Sequence, residues 1–270
     1  MLPVLFQSGP FVIYTHDAFT LLGLLVGLGL YYRELARRKM FCSEIFWISI
    51  AAVIGAGIGC RLITVWEHPA YYASFSEVPL TYFISHSGKG IIGGLLGGYI
   101  GVVLSKRAFG YTVSTGDCYS AAIALATAIG RVGCYLAELP LGKPTDLPWG
   151  ITIDPAAALN FATCPYCDQK MHPSMVYEIL FNLVAFVVIL RYRDRVIVQG
   201  DSLKIYLLVA SVFRFFIEFT RANSEQLWGL TGAQVDLIPI TALLVYYFVR
   251  QWRRGVYRLP PAPPAYAAAE

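Results

Sequence analysis

The residues best suited to chemistry in this sequence are arginines placed inside apolar runs. Arg131 lies within residues 121–142, AAIALATAIGRVGCYLAELPLG, a stretch apolar enough to lie in a bilayer. A charged side chain there costs about 2.5–3.5 kcal/mol on insertion scales, so it normally faces a bundle interior or a wet cavity that holds an anion. Guanidinium groups bind phosphate oxygens through a planar fork of donors and stay charged at physiological pH. Arg131 therefore predicts an anion site within a helical bundle.

Further polar side chains lie in or beside apolar runs at what we predict to be the same end of the bundle. They are Arg61, Glu138, His172, Tyr177, Glu178, Arg214, Glu218 and Arg221. The spacing of four and three puts Arg214, Glu218 and Arg221 on one face of a helix. In the topology derived below, all these residues fall in the outer half of the membrane. They predict a single site with an excess of arginine.

Two interpretations of this site are open. Two or three arginines in one lipid-accessible cavity would fit the phosphate of a phospholipid headgroup. Alternatively, the carboxylates neutralise the arginines as pairs between helices, which we favour over a catalytic role for Glu218 with Arg214 or Arg221. Pairing explains Arg131 less well, because the nearest carboxylate on its own helical face is Glu138, seven residues away.

Composition defines the class of protein. The 270 residues are 57% hydrophobic and 14% charged, whereas soluble domains carry about 25% charged residues. We therefore predict an all-α, polytopic integral membrane protein, and the small net charge of +4 argues against nucleic acid as a partner. Seven apolar runs are long enough to span a bilayer. They cover residues 17–33, 44–66, 89–105, 118–137, 174–190, 202–220 and 233–250.

The loops between these runs predict the orientation. Thirteen of the 21 basic residues fall in alternate loops and at the C-terminal end: Arg33, Arg37, Arg38, Lys39, Lys106, Arg107, Arg191, Arg193, Arg195, Arg250, Arg253, Arg254 and Arg258. Positively charged loops stay in the cytoplasm, so the N-terminus is predicted outside and the C-terminus inside. The first sixteen residues contain no lysine or arginine, so we expect no signal peptide and a retained first helix.

One transmembrane domain is predicted over residues 1–258. Within it, residues 139–173 are rich in Pro, Asp and Thr and would form a small outward-facing cap, whereas the Pro- and Ala-rich residues 259–270 are predicted to be disordered. Cys164 and Cys167 in this cap favour a loop disulfide. A metal site with Asp168 and His172, or a redox site, is the weaker alternative.

Glycines recur in the second and third apolar runs. The third run reads GIIGGLLGGYIG from residue 90, and the second contains Gly55, Gly57 and Gly59. Small residues at helical spacing let two helices approach closely, which is the interpretation we favour. A groove that admits an acyl chain or a peptide is the alternative.

Several separated motifs resemble those of one known family, the prolipoprotein diacylglyceryl transferases. The matching segments are PVLFQSGPFVIYT (3–15), GRVG (130–133) with Gly142, HPSMVYE (172–178), FRFFIEFTR (213–221) and LTGAQ (230–234). The resemblance covers residues 3–250 in the same order. It implies a multi-pass protein of the bacterial inner membrane.

The resemblance also implies an activity. Members of this family transfer an sn-1,2-diacylglyceryl group from phosphatidylglycerol to the lipobox cysteine of a prolipoprotein and release glycerol phosphate, with no metal or cofactor. Carried over to this chain, Arg131 and Arg214 are the expected catalytic groups on the phosphate. The expected substrate-binding residues are Arg131, Arg214, Arg221, Glu218, Tyr177, Glu178 and His172.

This sequence departs from the family pattern at three positions. Ile92 stands where the family motif His-Gly-Gly-Leu has histidine, and Cys134 stands where asparagine commonly follows Gly-Arg-x-Gly. Glu138 lies one place before the acidic residue expected there. We therefore name His86 as a candidate proton acceptor, and keep as an alternative a divergent relative that binds phospholipid but catalyses another headgroup transfer or none.

Overall fold

The structure, a computed structural model, describes residues 4–8, 11–67, 90–137, 142–153, 166 and 169–258. Seven α-helices lie in these ranges: α1 (Thr15–Arg37), α2 (Ser43–Glu67), α3 (Ile91–Phe109), α4 (Gly116–Leu136), α5 (Ser174–Tyr192), α6 (Asp201–Ile217) and α7 (Gly232–Arg253). Each overlaps one predicted run. Six are long and apolar enough to cross a membrane, whereas α6 has only 17 residues. The predicted all-α, multi-pass class is confirmed.

Two short hairpins accompany the helices and were not predicted. Strand β1 (Val4–Ser8) pairs with β2 (Phe11–Tyr14), which leads directly into α1. Strand β3 (Glu225–Leu227) pairs with β4 (Leu230–Thr231). Trp228 and Gly229 between them have positive φ angles of 51° and 74°, as a tight two-residue hairpin turn requires. Strands this short are too brief for a repeating apolar pattern to reveal.

The helices divide into two compact units. The first comprises Met1–Arg38, Ser114–Ser224 and Leu237–Glu270, and the second comprises Lys39–Val113 and Glu225–Asp236. In the second unit, glycines bring α2 and α3 into backbone contact. A methyl group on Gly59 would overlap the carbonyl oxygen of Gly93, and one on Gly55 would overlap that of Gly97. Close helix packing therefore explains these glycines, and Ile92 is buried beside them.

In the first unit, α1 runs along α4, and α4 in turn contacts α5 and α6. Gly23 and Gly27 of α1 lie against Ala126, so the two backbones approach closely. Near the end of α4, a side chain on Gly133 would collide with Phe19 of α1. This packing brings the first turn of α1 beside the end of α4 that carries Arg131.

Several predictions concern features that the described residues do not test. The orientation, the single domain over residues 1–258 and the outward position of the cap stay predictions. The tail, residues 259–270, lies outside the described part of the chain, as do His86, Glu138, Cys164, Cys167 and Asp168.

Candidate active site

Glu178 is the centre of the polar site in the first unit. It lies in the second turn of α5 and is 4% exposed. Its carboxylate forms an ion pair with Nε of Arg131 from α4. Its Oε1 lies 3.0 Å from Nη1 of Arg221 and 3.8 Å from Nη1 of Arg214. Arginines from three separate segments therefore converge on one buried carboxylate.

A second buried carboxylate completes what we call the arginine cluster, made of Arg131, Glu178, Arg214, Glu218 and Arg221. Glu218 opens the short 3₁₀ helix that follows α6 and is 1% exposed. It pairs with Nη1 of Arg214, lies 3.6 Å from Nε of Arg221, and accepts a hydrogen bond from Asn223. With three guanidinium groups and two carboxylates, the cluster carries a formal charge of +1.

Some hydrogen-bond donors of the arginine cluster are unsatisfied. The Nε groups of Arg214 and Arg221 are buried and make no hydrogen bond within the described residues. Leaving a buried donor unsatisfied costs about 1–3 kcal/mol, and more for a charged group. A guanidinium group stays protonated at physiological pH, so Arg221 remains a cation. An incoming anion would remove both the excess charge and the unsatisfied donors.

Side chains one helical turn beyond Glu178 fix α5 against α6. Asn182, four residues after Glu178, donates to the carbonyl of Glu178 at 2.8 Å and accepts the hydroxyl of Tyr206 at 2.7 Å. The rings of Phe181 and Phe213 stack 4.1 Å apart. These contacts set the register in which Arg214 reaches Glu178.

The segment after α4 holds Arg221 in place from the other side. Gly142 forms a β-bridge with Arg221, and the amide of Lys143 donates to the carbonyl of Thr220 at 2.8 Å. The amide of His172 in turn donates to the carbonyl of Lys143 at 2.9 Å. Any side chain on Gly142 would overlap the carbonyl of His172. This explains why a glycine ends the motif around Arg131.

An aromatic group lies at the entrance to α5. The hydroxyl of Tyr177 accepts a hydrogen bond from Nε1 of Trp149 at 2.8 Å and lies 3.4 Å from Nδ1 of His172. Tyr177 directly precedes Glu178 in the chain. The predicted residues His172 and Tyr177 therefore form one hydrogen-bonded pair beside the arginine cluster.

Cys134 occupies the other flank of Arg131. Its Sγ lies 3.8 Å from Nη1 of Arg131, and its thiol also contacts the side chain of His16. Cys134 is 5% exposed, whereas the side chain of His16 is 31% exposed. Sequence analysis missed this contact because the two residues are 118 positions apart.

The structure brings together most of the predicted site residues and corrects one inference. Arg131, Glu178, Arg214, Glu218 and Arg221 share one cluster. Arg131 does have a carboxylate partner, Glu178. This partner lies on α5, whereas the spacing of residues along one helix reveals only partners on that same helix. Arg61 belongs to the second unit, where it donates to the carbonyl of Gly57 at 3.2 Å.

The sequence that builds this site matches a known protein family. The model of the family described as prolipoprotein diacylglyceryl transferase matches residues 3–250, which includes every member of the arginine cluster. This chain belongs to that family. The resemblance drawn from the separated motifs is confirmed.

Curated relatives of this transferase family align over most of the chain. All three cited here carry the name phosphatidylglycerol–prolipoprotein diacylglyceryl transferase. The protein of Frankia alni is 30% identical over 88% of this chain, that of Fervidobacterium nodosum 29% over 86%, and that of Staphylococcus carnosus 28% over 96%. The chain spans 64%, 78% and 92% of their respective lengths.

An apolar groove in the first unit lies apart from the arginine cluster. Its volume is about 380 Å³, and it is lined by Val212, Phe215, Phe216, Leu237, Ile238, Thr241, Ala242 and Val245. The three residues of α6 in this lining share one helical face, and Arg214 lies about 100–160° around the helix from them. No member of the arginine cluster lines this groove, so it is not part of the candidate site.

Proposed function

We propose that this chain is a phosphatidylglycerol–prolipoprotein diacylglyceryl transferase of the bacterial inner membrane. It transfers the sn-1,2-diacylglyceryl group of phosphatidylglycerol to the lipobox cysteine of a prolipoprotein. Family membership and the names of the relatives support the activity. The observation that carries the proposal is the arginine cluster, in which three guanidinium groups meet at one buried place with donors unused.

The substrates place different demands on the site. The phosphodiester of phosphatidylglycerol needs fixed cationic donors, which Arg131 and Arg214 supply. Arg221 and the two glutamates hold these arginines in position and complete the binding site for the headgroup. His172 and Tyr177 lie beside them and would contact the glycerol or the peptide.

The reaction itself is a substitution at carbon. The thiolate of the lipobox cysteine attacks the glycerol carbon that bears the phosphate, and a C–S bond forms as the C–O bond breaks. The electron pair of that bond stays on the phosphate oxygen, so glycerol phosphate leaves with an added negative charge. Arginines already aimed at the phosphate stabilise this charge without rearranging, an effect worth about 2.7–4 kcal/mol for one comparable donor. The step needs neither metal nor organic cofactor.

A direct assay tests the proposal. Purified protein is incubated in detergent micelles with phosphatidylglycerol and a lipobox peptide, and the peptide is weighed by mass spectrometry. We expect a diacylglyceryl thioether on the cysteine and release of glycerol phosphate. A matched peptide with serine in place of the cysteine should remain unmodified. No product, under conditions in which a relative such as the Staphylococcus carnosus protein forms it, would refute the proposal.

The buried Ile92 favours one alternative function. This position has no proton acceptor and is only 8% exposed, so a site that binds phospholipid without modifying a thiol is a coherent second candidate. In that case phosphatidylglycerol would bind to the wild type and not to Arg131→Ala, while the peptide assay stayed negative.

A further inference from the structure

His16 stands at the start of α1, where the β1–β2 hairpin turns into the helix. The packing of Phe19 against Gly133 fixes this turn of α1 beside the end of α4. Within its own helix, the carbonyl of His16 accepts the hydroxyl of Thr20 at 2.7 Å. The position of the imidazole is therefore determined by two helices.

A continuous line of polar atoms runs from the solvent-exposed side of His16 to the arginine cluster. Nδ1 of His16 lies 3.4 Å from Oδ1 of Asp17, and the ring also contacts the thiol of Cys134. Sγ of Cys134 in turn lies 3.8 Å from Nη1 of Arg131. The imidazole of His16 therefore has a carboxylate on one side, and on the other side Cys134 separates it from the guanidinium of Arg131. General bases in other enzymes have similar surroundings.

Other groups near the arginine cluster are less suited to accept a proton. Glu178 and Glu218 are each already in ion pairs with at least two arginines. The family's histidine position is the buried Ile92. His172 faces the hydroxyl of Tyr177. Among the described residues, His16 is the imidazole that reaches Arg131 through a single side chain.

We propose that His16 is the proton acceptor for the incoming lipobox thiol in this chain. The inference rests on the proposed transferase activity. The thiol proton passes to the neutral imidazole as the sulfur attacks the glycerol carbon, and the leaving electron pair stays on the phosphate held by Arg131. Since the ring is 31% exposed, the proton then escapes to water. Cys134 orients the ring and lies between it and Arg131.

The surroundings of His16 define which groups can affect its titration. Asp17 faces it from its own helix, and Cys134 faces it from α4, with the guanidinium of Arg131 behind Cys134. The hairpin over residues 4–14 carries no Asp, Glu, Lys, Arg or His. The rate should therefore rise once with pH, as the imidazole of His16 loses its proton.

The test compares the pH dependence of kcat for the wild type and His16→Gln in the peptide assay. At neutral pH we expect kcat to fall by about 10²–10⁴-fold, the usual contribution of a general base. The substituted enzyme should lose this rise and instead speed up towards about pH 8.5, where a thiol ionises unaided. The difference in kcat between His16→Gln and the wild type should therefore become smaller at alkaline pH. His16→Ala should regain activity when imidazole is added, which also shows that the variant is folded.

Matched substitutions separate this proposal from its rivals. His86→Gln tests the other candidate proton acceptor. If the rate of His86→Gln no longer rises with pH while that of His16→Gln still does, the inference is wrong. It is also wrong if His16→Gln is equally slow at every pH and imidazole restores nothing, because His16 would then be structural. A wild type that makes no thioether would instead refute the transferase activity itself, and the inference with it.

Discussion

Two charge clusters lie at opposite ends of the same helices in the first unit, and they are built differently. Helices α4 and α6 each carry one member near either end: Asp117 and Arg131 on α4, and Asp201 and Arg214 on α6. Thirteen or fourteen residues separate the members of each pair, which is about 20 Å along a helix. The arginine cluster occupies one end. The other end holds what we call the carboxylate cluster: Glu34, Arg37, Arg38, Asp117, Arg193, Asp194, Asp201 and Lys204.

The carboxylate cluster is balanced and well bonded. Its four carboxylates face four cations through ion pairs. Asp117 accepts the backbone amides of Gly200 at 2.9 Å and Ser202 at 3.1 Å. Asp201 accepts Nζ of Lys204 at 2.8 Å and the hydroxyls of Tyr247 and Tyr257, both at 2.7 Å. Such an arrangement joins helix ends and leaves little for a ligand to do.

The arginine cluster has the opposite character. It has one more cation than carboxylate, and two of its buried Nε groups lack a hydrogen bond within the described part of the chain. Buried polar groups are normally satisfied, so an exception at a charged site points to a ligand rather than to stability. The comparison therefore indicates a structural role for the carboxylate cluster and supports the proposed phosphate binding by the arginine cluster.

Replacing Arg131 should have the largest effect on activity. Arg131→Ala is expected to lower diacylglyceryl transfer by at least about 10²–10³-fold, the usual loss for one preorganised donor, while membrane insertion stays intact. Arg131→Lys should recover only part of this loss, because lysine keeps the charge without the planar fork. Transfer to the lipobox peptide measures both. Arg37→Ala in the carboxylate cluster is the control and should leave transfer unchanged; full activity of Arg131→Ala would remove its assigned role.

Replacing Asp117 should have the reverse pattern. Asp117→Ala leaves two buried backbone amides without a hydrogen-bond acceptor and removes the ion pair with Arg38. We therefore expect a loss of about 2–3 kcal/mol in the free energy of unfolding. Thermal unfolding in detergent should show Tm several degrees lower, with normal transfer by the protein that remains folded. Asp194→Ala is the matched control, because its side chain is 61% exposed and exposed ion pairs contribute under about 1 kcal/mol. Equal Tm values for the two variants would contradict the structural role of Asp117.

A simple anion should distinguish the two clusters without any catalysis. Inorganic phosphate that occupies the arginine cluster would stabilise the folded protein by about 1.4 kcal/mol at ten times its dissociation constant. We therefore expect phosphate to raise Tm of the wild type and of Arg37→Ala, but not of Arg131→Ala. Chloride at the same ionic strength controls for general screening. A rise that persists in Arg131→Ala would mean that phosphate binds elsewhere.

The sequence predicted the features that depend on local spacing. Long apolar runs predicted all seven helices, and the intervals between Arg214, Glu218 and Arg221 predicted that they meet. The three residues do meet, even though α6 ends at Ile217 and a 3₁₀ helix follows. Glycines at helical spacing predicted the contact between α2 and α3.

Contacts between distant segments were beyond the sequence. Glu178 lies 47 residues after Arg131, and no periodicity within one helix relates the two. The basic members of the carboxylate cluster, such as Arg37 and Arg193, were interpreted only as determinants of orientation, because some of their partners lie far away in the sequence: Arg37 pairs with Asp194, and Arg193 pairs with Glu34. The polar link from His16 to Cys134 depends in the same way on how α1 packs against α4.

Cys134→Asn should have the smallest effect, and it examines the boundary of the arginine cluster. Asparagine is the residue that commonly follows Gly-Arg-x-Gly in the family, and its amide can both donate and accept hydrogen bonds. It can therefore take over the contacts of the thiol with Arg131 and with His16, so we expect transfer to be unchanged or moderately faster. Cys134→Val has similar bulk but no such capacity, and it should reduce transfer by releasing the ring of His16. If valine worked as well as asparagine in the peptide assay, Cys134 would only fill space and the polar link to Arg131 would have no part in the reaction.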